Sequence, residues 1–278
     1  MLVNLNDVLK KAQKGKYAVG LFNTTDSDML QGVIEAAEEM NSPVIIGTAE
    51  ILLPYGELKL IAPSMIEAAK RSKVPVVVHY DHGLTFDRCI EALKLGFSSV
   101  MFDASQNDYE TNIASTAEIV KIAHAFGASV EGEIGHVGNA MDSSEDNIDM
   151  YTTPEEAEMF INSTGVDALA VAIGTAHGVY KKKPMLNIER LKKIRERVDT
   201  PLVLHGGSGL SDEDFRNTVR EGIAKVNIFT DLCLAGDRAT ADGKERGIGY
   251  LETRNLKVAY IKEEVKKKIR LFGSENKA

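Results

Sequence analysis

Short runs of apolar residues recur along the chain, each bounded by polar or turn-forming residues. They cover 17–22, 43–47, 74–80, 98–103, 129–132, 168–173, 201–204 and 223–228. Most are rich in Val and Ile, and their unbroken apolar character fits strands buried on both faces, as in a parallel sheet. Between them, apolar residues recur at helical spacing over 28–40, 58–72, 86–95, 109–126, 154–163, 188–197 and 212–221, and a last helix covers about 258–271. In the first of these the stripe is Leu30, Val33, Ile34 and Ala37. Thr153-Pro154-Glu155-Glu156 reads as a capped helix start with proline in the first turn. Strands alternating with helices predict a closed (β/α)8 barrel, a TIM barrel, rather than an open doubly wound sheet. A length of 278 residues suits one such domain, and no linker or shift in composition divides it. Two polar, glycine-containing stretches, 135–152 and 237–253, interrupt the pattern and read as loops of the kind that serve as lids.

Composition narrows the partners. A net charge of −8 without a basic stripe argues against nucleic acid or an anionic membrane, while leaving room for a locally basic pocket that takes an anionic substrate. No apolar run approaches the roughly 20 residues of a membrane span. The opening residues lack the apolar core of a secretory signal, so the cytoplasm is the expected location. Cys89 and Cys233 form no CxxC pair and lie in apolar stretches, which predicts buried free thiols.

In such a barrel the chemistry sits where the strands end. There the chain places Asp81-His82-Gly83, Asp103-Ala104-Ser105, Glu131-Gly132-Glu133, His177-Gly178, His205-Gly206-Gly207-Ser208-Gly209 and Asn227-Ile228-Phe229-Thr230. Three of the six histidines, His82, His177 and His205, thus open onto one face from three strands. Three histidines with an open fourth position make a catalytic zinc arrangement. One rim histidine would be an ordinary hydrogen-bonded residue; three beside glycines favour a metal. His79 reads as core or as a residue behind the metal ligands, His124 as structural, and His136 is unassigned. Asp81 could act as general acid or base, or orient a histidine. Glu131 and Glu133 share a strand face and could orient a histidine or offer a second metal position; for Glu131 a structural ion pair fits equally well. Glycines after the seventh run, with Asn227 and Thr230 at a helix start after the eighth, make a cradle for phosphate. Lys181 could add charge, although the run 181–183 alone would read as solvated surface.

From these residues the chain resembles the class II fructose-bisphosphate and tagatose-bisphosphate aldolases over nearly its whole length. The similarity is most specific across 164–230, and the ending Leu271-Phe272-Gly273-Ser274 also matches. The resemblance implies one Zn2+ per subunit, held by His82, His177 and His205, with Asp103 and Glu133 as an alternative metal position. It implies proton exchange at the C4 hydroxyl by Asp81 and contact of Asn227 with the ene-diolate. Gly178, Gly206, Gly207, Ser208 and Thr230 would hold the C1 phosphate with Lys181 nearby, and Asn23 and Ser105 would line the pocket. A monovalent cation, Na+ or K+, often accompanies the phosphate, and members are homodimers or homotetramers. The implied reaction cleaves a ketose 1,6-bisphosphate (fructose or tagatose) to dihydroxyacetone phosphate and glyceraldehyde 3-phosphate. Three places depart from the family pattern. The lid reads Gly138-Asn139-Ala140-Met141-Asp142-Ser143-Ser144-Glu145-Asp146, with Glu145 the candidate for moving the C1 proton. Thr48 stands at the expected distal-phosphate serine, and Arg254 follows Glu252-Thr253 rather than Asp-Pro. These changes touch the distal half of the site. They motivate an alternative substrate, another ketose 1-phosphate or a deoxy-ketose phosphate.

Overall fold

The computed structural model describes residues 1–135, 151–176 and 184–278. A short strand β1 (Leu2–Val3) and helix α1 (Leu5–Gly15) come first. Strands and helices then alternate as β2 (Val19–Asn23), α2 (Ser27–Glu39), β3 (Val44–Ala49), α3 (Leu58–Arg71), β4 (Val76–Gly83), α4 (Phe86–Leu95), β5 (Ser99–Phe102), α5 (Tyr109–Ala125), β6 (Ser129–Ile134) and α6 (Pro154–Thr164). They continue as β7 (Ala168–Val171), α7 (Ile188–Arg197), β8 (Leu202–Leu204), α8 (Asp212–Arg220), β9 (Ile223–Ile228), α9 (Thr230–Glu245) and α10 (Tyr250–Phe272). Every pairing between β2 and β9 is parallel, and the ring β4-β3-β2-β9-β8-β7-β6-β5 closes where β5 meets β4. This is the closed (β/α)8 barrel that the alternating runs predict. No helix among the described residues is long and apolar enough to cross a membrane.

Strand alternation sorts the core into two layers. Val44 and Ile46 of β3, Val76, Val78 and Tyr80 of β4 and Leu202 and Leu204 of β8 face the helices. Val19 and Leu21 of β2, Ile45, Val77, Ala168 and Ala170 of β7 and Val203 fill the barrel interior. Helix α1 caps that inner layer with a stripe at helical spacing, Leu5, Val8, Leu9 and Ala12, all buried. Its entry is tied to the barrel floor by the Leu5 N–H, which donates to Ser129 Oγ at 3.0 Å. The amino end of the barrel is therefore stoppered with hydrocarbon, and polar inward-facing residues collect at the carboxyl end.

Two expectations change. The stretch 237–253 is mostly helix, since α9 continues to Glu245 and α10 begins at Tyr250. Its polarity is that of an outer face. Leu232, Ala235, Ala239 and Gly243 form the buried stripe of α9, and a Cβ on Gly243 would lie 2.8 Å from Thr253 Oγ1, so glycine lets α10 approach closely. Cys89 is buried as expected, but Cys233 is half-exposed on α9. Of the other expected loop, residues 136–150, with His136 and Glu145, lie outside the described residues. Leu9→Ala would hollow out the plug of the barrel, and denaturant titration is expected to show a loss of about 2–5 kcal/mol with metal content unchanged. A loss well under ~1 kcal/mol would mean that α1 does not carry the floor of the core.

Candidate metal centre and active site

Along β4 the side chains of Val77, His79 and Asp81 point inward, so His82 should point outward. A bulge changes this. The β4–β5 register slips between Tyr80 and Gly83, and His82 takes φ of 41°, in the left-handed region. The extra residue turns His82 into the barrel mouth beside Asp81. Gly83 is required next, because a Cβ there would meet Cys89 Sγ at 2.4 Å and Met101 O at 2.7 Å. Beyond it, the Glu50 carboxylate accepts from the Leu84 N–H (2.8 Å), the Thr85 N–H (3.1 Å) and the Thr85 hydroxyl (2.9 Å), and so fastens the chain leaving the bulge.

His82 and His205 meet at this mouth with the same wiring. His82 Nδ1 donates to Asp103 Oδ2 at 2.8 Å, and His205 Nε2 donates to Glu131 Oε1 at 2.7 Å. The remaining nitrogens, His82 Nε2 and His205 Nδ1, face each other at 2.7 Å, with Glu133 Oε2 3.5 Å from His205 Nδ1. A carboxylate on one ring nitrogen, leaving the other aimed at a common point, is how proteins present histidine to a metal. The donor set therefore fits a divalent cation. His177, the third expected ligand, lies outside the described residues, as do Gly178 and Lys181. Asp103 and Glu133 both converge here with His82. Asp103 is engaged in orienting His82, and its other oxygen accepts from Ser105 Oγ at 2.7 Å.

Behind the histidines, Asp81 is almost wholly buried and accepts from Asn23 Nδ2 at 2.8 Å and from Asn227 Nδ2 at 3.0 and 3.2 Å. Two amides from β2 and β9 thus fix its carboxylate plane. His79, fully buried, bonds Ser99 Oγ through Nδ1 at 2.7 Å, and its Nε2 lies 3.8 Å from Asp81 Oδ1. His124 pairs with Asp167 at 2.8 Å on the outer layer, as a structural residue.

Burial opposes charge throughout this cluster, and neighbours decide which groups keep it. Burial works against the His82 imidazolium, but Asp81, Asp103 and Glu133 overcome it and push its pKa up to about 10. Burial, with His82 beside it, pushes His205 down, so His205 stays neutral. Burial also raises the Asp81 carboxyl, yet the surrounding His82, Lys225 and His205 outweigh it and hold Asp81 far below the usual carboxylate range. With His82 doubly protonated and His205 neutral, His82 Nε2–H points at the His205 Nδ1 lone pair, where both rings would meet a divalent ion.

The glycine loop after β8 and the start of α9, where a phosphate is expected, lie side by side at the ends of neighbouring strands. Gly206 has φ of 65°, and a Cβ on it would strike Ala176 O at 2.3 Å. On Gly207 a Cβ would lie 2.9 Å from Asn227 O, so both glycines are forced by close backbone approach. Ser208 Oγ accepts from the Phe229 N–H at 3.3 Å and joins this loop to the start of α9 at Thr230.

Two residues fall elsewhere. Thr48 pairs in register with Tyr80 and shares the outward parity of Val44 and Ile46, so its side chain faces the helices; Ala49 takes the inward place beside Asp81. The expectation slipped by one residue because a continuously apolar strand shows no alternation from which to read its parity. Arg254, on α10, pairs with Asp28 at 3.0 Å and donates to Gln31 Oε1 at 2.6 Å, which ties it to α2. Lys225 was not singled out from the sequence. It is wholly buried and 2.7 Å from Glu131 Oε2, and its place two residues before Asn227 on one strand was the signal that it faces inward.

A parallel barrel whose mouth holds carboxylate-wired histidines, a donor set that fits a divalent cation, beside a glycine-lined loop is the frame of a barrel enzyme. Comparison with known proteins makes this specific: the chain belongs to the family described as Fructose-bisphosphate aldolase class-II, which it matches over residues 3–277, and it is accordingly an aldolase, a carbon–carbon lyase. It is 42% identical over 279 residues to Uncharacterized protein YdjI of Escherichia coli strain K12, with 100% of both chains covered. To the Fructose-bisphosphate aldolase of Thermus caldophilus it is 37% identical over 306 residues, again covering 100% of both. The crystal structure of the YdjI aldolase from Escherichia coli K12 superposes with a TM-score of 0.91 at 38% identity, over 100% of both chains.

The protonation pattern makes a prediction. At neutral pH His82 is protonated and must lose that proton to accept a metal, so zinc binding should release about one proton, and affinity should rise about tenfold per pH unit between pH 6 and 8. Chelator competition at pH 6, 7 and 8 reads the slope; an affinity independent of pH would show that no proton is displaced from His82 when the metal binds.

Proposed function

We propose that the protein uses a bound divalent metal, zinc by the family's chemistry, to cleave and form a carbon–carbon bond in a ketose carrying a C1 phosphate, with dihydroxyacetone phosphate as one product. The observation that carries the reading is the convergence of His82 Nε2 and His205 Nδ1 beside the doubly held Asp81. His82 and His205 would hold the metal with His177, and the metal supplies Lewis-acid polarisation of the ketose carbonyl. Asp81, ionised and clamped by Asn23 and Asn227, takes the proton of the C4 hydroxyl as the bond breaks and returns it in synthesis. Asn227 lies next to both Asp81 and His205, where it would contact the oxygens of the three-carbon fragment. Gly206, Gly207, Ser208 and Thr230 take the C1 phosphate through backbone N–H groups and the start of α9. Glu145 is the candidate for C1 proton transfer.

A 1,6-bisphosphate of fructose or tagatose is the substrate that the family resemblance suggests. The placement of Thr48 and Arg254 favours the other reading, a ketose 1-phosphate, deoxy sugars included. Of the two residues expected near a distal phosphate, one faces the helices and the other is engaged by Asp28 and Gln31. A coupled assay on chelator-stripped and zinc-reloaded protein separates these. Zinc-dependent cleavage of ketose 1-phosphates at rates equal to or above those of both bisphosphates supports the second reading. A strict need for two phosphates returns the bisphosphate reading. No zinc-dependent cleavage of either class refutes the aldol assignment for these substrates.

A further inference from the structure

Beneath the metal centre, one charged group has no part in the reaction described above. Lys225, on β9, has no exposed surface, and its ammonium lies 2.7 Å from Glu131 Oε2. The other oxygen of the same carboxylate, Oε1, is the acceptor for His205 Nε2–H at 2.7 Å, and His205 Nδ1 on the far side of the ring faces His82. Lys225, Glu131, His205 and the metal position thus form one line running from the barrel core to its mouth, on strands β9, β6 and β8. We propose that Lys225 is a positioning residue of the metal centre, holding the Glu131 carboxylate so that His205 keeps its hydrogen on Nε2 and its Nδ1 lone pair toward the metal.

The geometry supports this over a structural ion pair alone. The terminal torsion of a glutamate is soft, so a carboxylate held at one oxygen can swing; Glu131 is held at Oε1 by the His205 hydrogen bond and at Oε2 by the charge of Lys225. It also has other attractions within reach. His79 Nε2 lies 3.9 Å from Glu131 Oε2, on the same side as Lys225. Without the ammonium, Oε2 would be left with the attraction of His79, and a turn toward it would draw Oε1 away from His205. The ring would then be free to rotate or to carry its hydrogen on Nδ1, and neither arrangement presents a lone pair to the metal. Ligand-orienting residues behind a metal site commonly change affinity by about ten- to a hundredfold when lost.

The inference rests on His205 as a ligand, and its test reads metal binding rather than sugar cleavage, so it stands or falls separately from the substrate reading. Full-length wild type, Lys225→Met, Glu131→Gln and Lys225→Met/Glu131→Gln are stripped and titrated with zinc against a chelator. Thermal midpoints and circular dichroism are measured on the same samples, and cobalt-loaded spectra report the coordination shell. Lys225→Met is expected to weaken zinc binding about tenfold or more and to alter the cobalt spectrum while the protein remains folded. The two single substitutions should be strongly non-additive in zinc affinity, because they cut one line. If Lys225→Met does not fold, the double variant, which leaves no uncompensated buried charge, carries the test with the same expected loss. Wild-type zinc affinity and an unchanged cobalt spectrum in folded Lys225→Met, or in the double variant, would reduce Lys225 to a structural ion pair. Additive losses in the singles would likewise overturn the inference.

Discussion

Four carboxylates, Asp81, Asp103, Glu131 and Glu133, gather at one end of a barrel with little access to water. Burying unpaired charge is costly, and the cost is met only by exact pairing. Each carboxylate has a neighbour that answers it: two asparagine amides and the nearby imidazoles for Asp81, His82 and Ser105 for Asp103, Lys225 and His205 for Glu131, and the His82 imidazolium for Glu133. The partners come from β2, β4 and β9 and from the segments that leave β5 and β8, so the cluster can exist only once the ring has closed. In that sense the barrel's topology is a condition of its electrostatics.

The two ends of the barrel solve opposite problems with the same strands. Alternation places Val77, His79 and Asp81 on one face of β4, and the change from hydrocarbon to charge along that face is the change from floor to mouth. The apolar floor would be exposed without α1, whose stripe of Leu5, Val8, Leu9 and Ala12 closes it. At the mouth, regular alternation would deliver Asp81 or His82, never both. The bulge at His82 delivers both, at the expense of a left-handed residue, which Gly83 and the Glu50 clamp make tolerable.

Much of this was readable from the residues. Continuous Val- and Ile-rich runs gave the position of every barrel strand because burial on both faces leaves no polar break. The histidines at strand ends marked the mouth because a barrel's polar inward residues can collect only at its unplugged end. What escaped reading was facing rather than location. In β3 the run Val44-Ile45-Ile46-Gly47-Thr48-Ala49 has no polar alternation, so nothing local told Thr48 from Ala49 as the inward residue. In α9 polarity suggested a loop, since the burial of Ala235, Ala239 and Gly243 depends on α10 lying against them, a contact remote in sequence. Lys225 went unnoticed for a related reason. A lysine in an apolar strand is explicable only by its partner Glu131, on a strand far away in the chain.

The balance of charge at the mouth explains why a divalent ion belongs there and an anionic substrate can still approach. Against the four carboxylates stand the Lys225 ammonium and, without metal, the His82 imidazolium, so the described cluster is short of positive charge. Exchanging one proton on His82 for a doubly charged ion reduces that deficit, and in a medium where water cannot screen it, the gain is larger than at a surface. A phosphate placed among these carboxylates would be repelled. The proposed cradle would avoid this by binding through backbone N–H groups of the Gly206–Gly207 loop and the start of α9, whose partial positive charge needs no lysine and is fixed by the fold. On that reading the metal and phosphate sites would lie on adjacent strand ends with different chemistries, side-chain ligands for one and backbone for the other. On the proposed reading, that adjacency would suit a substrate bearing a carbonyl beside a phosphorylated carbon.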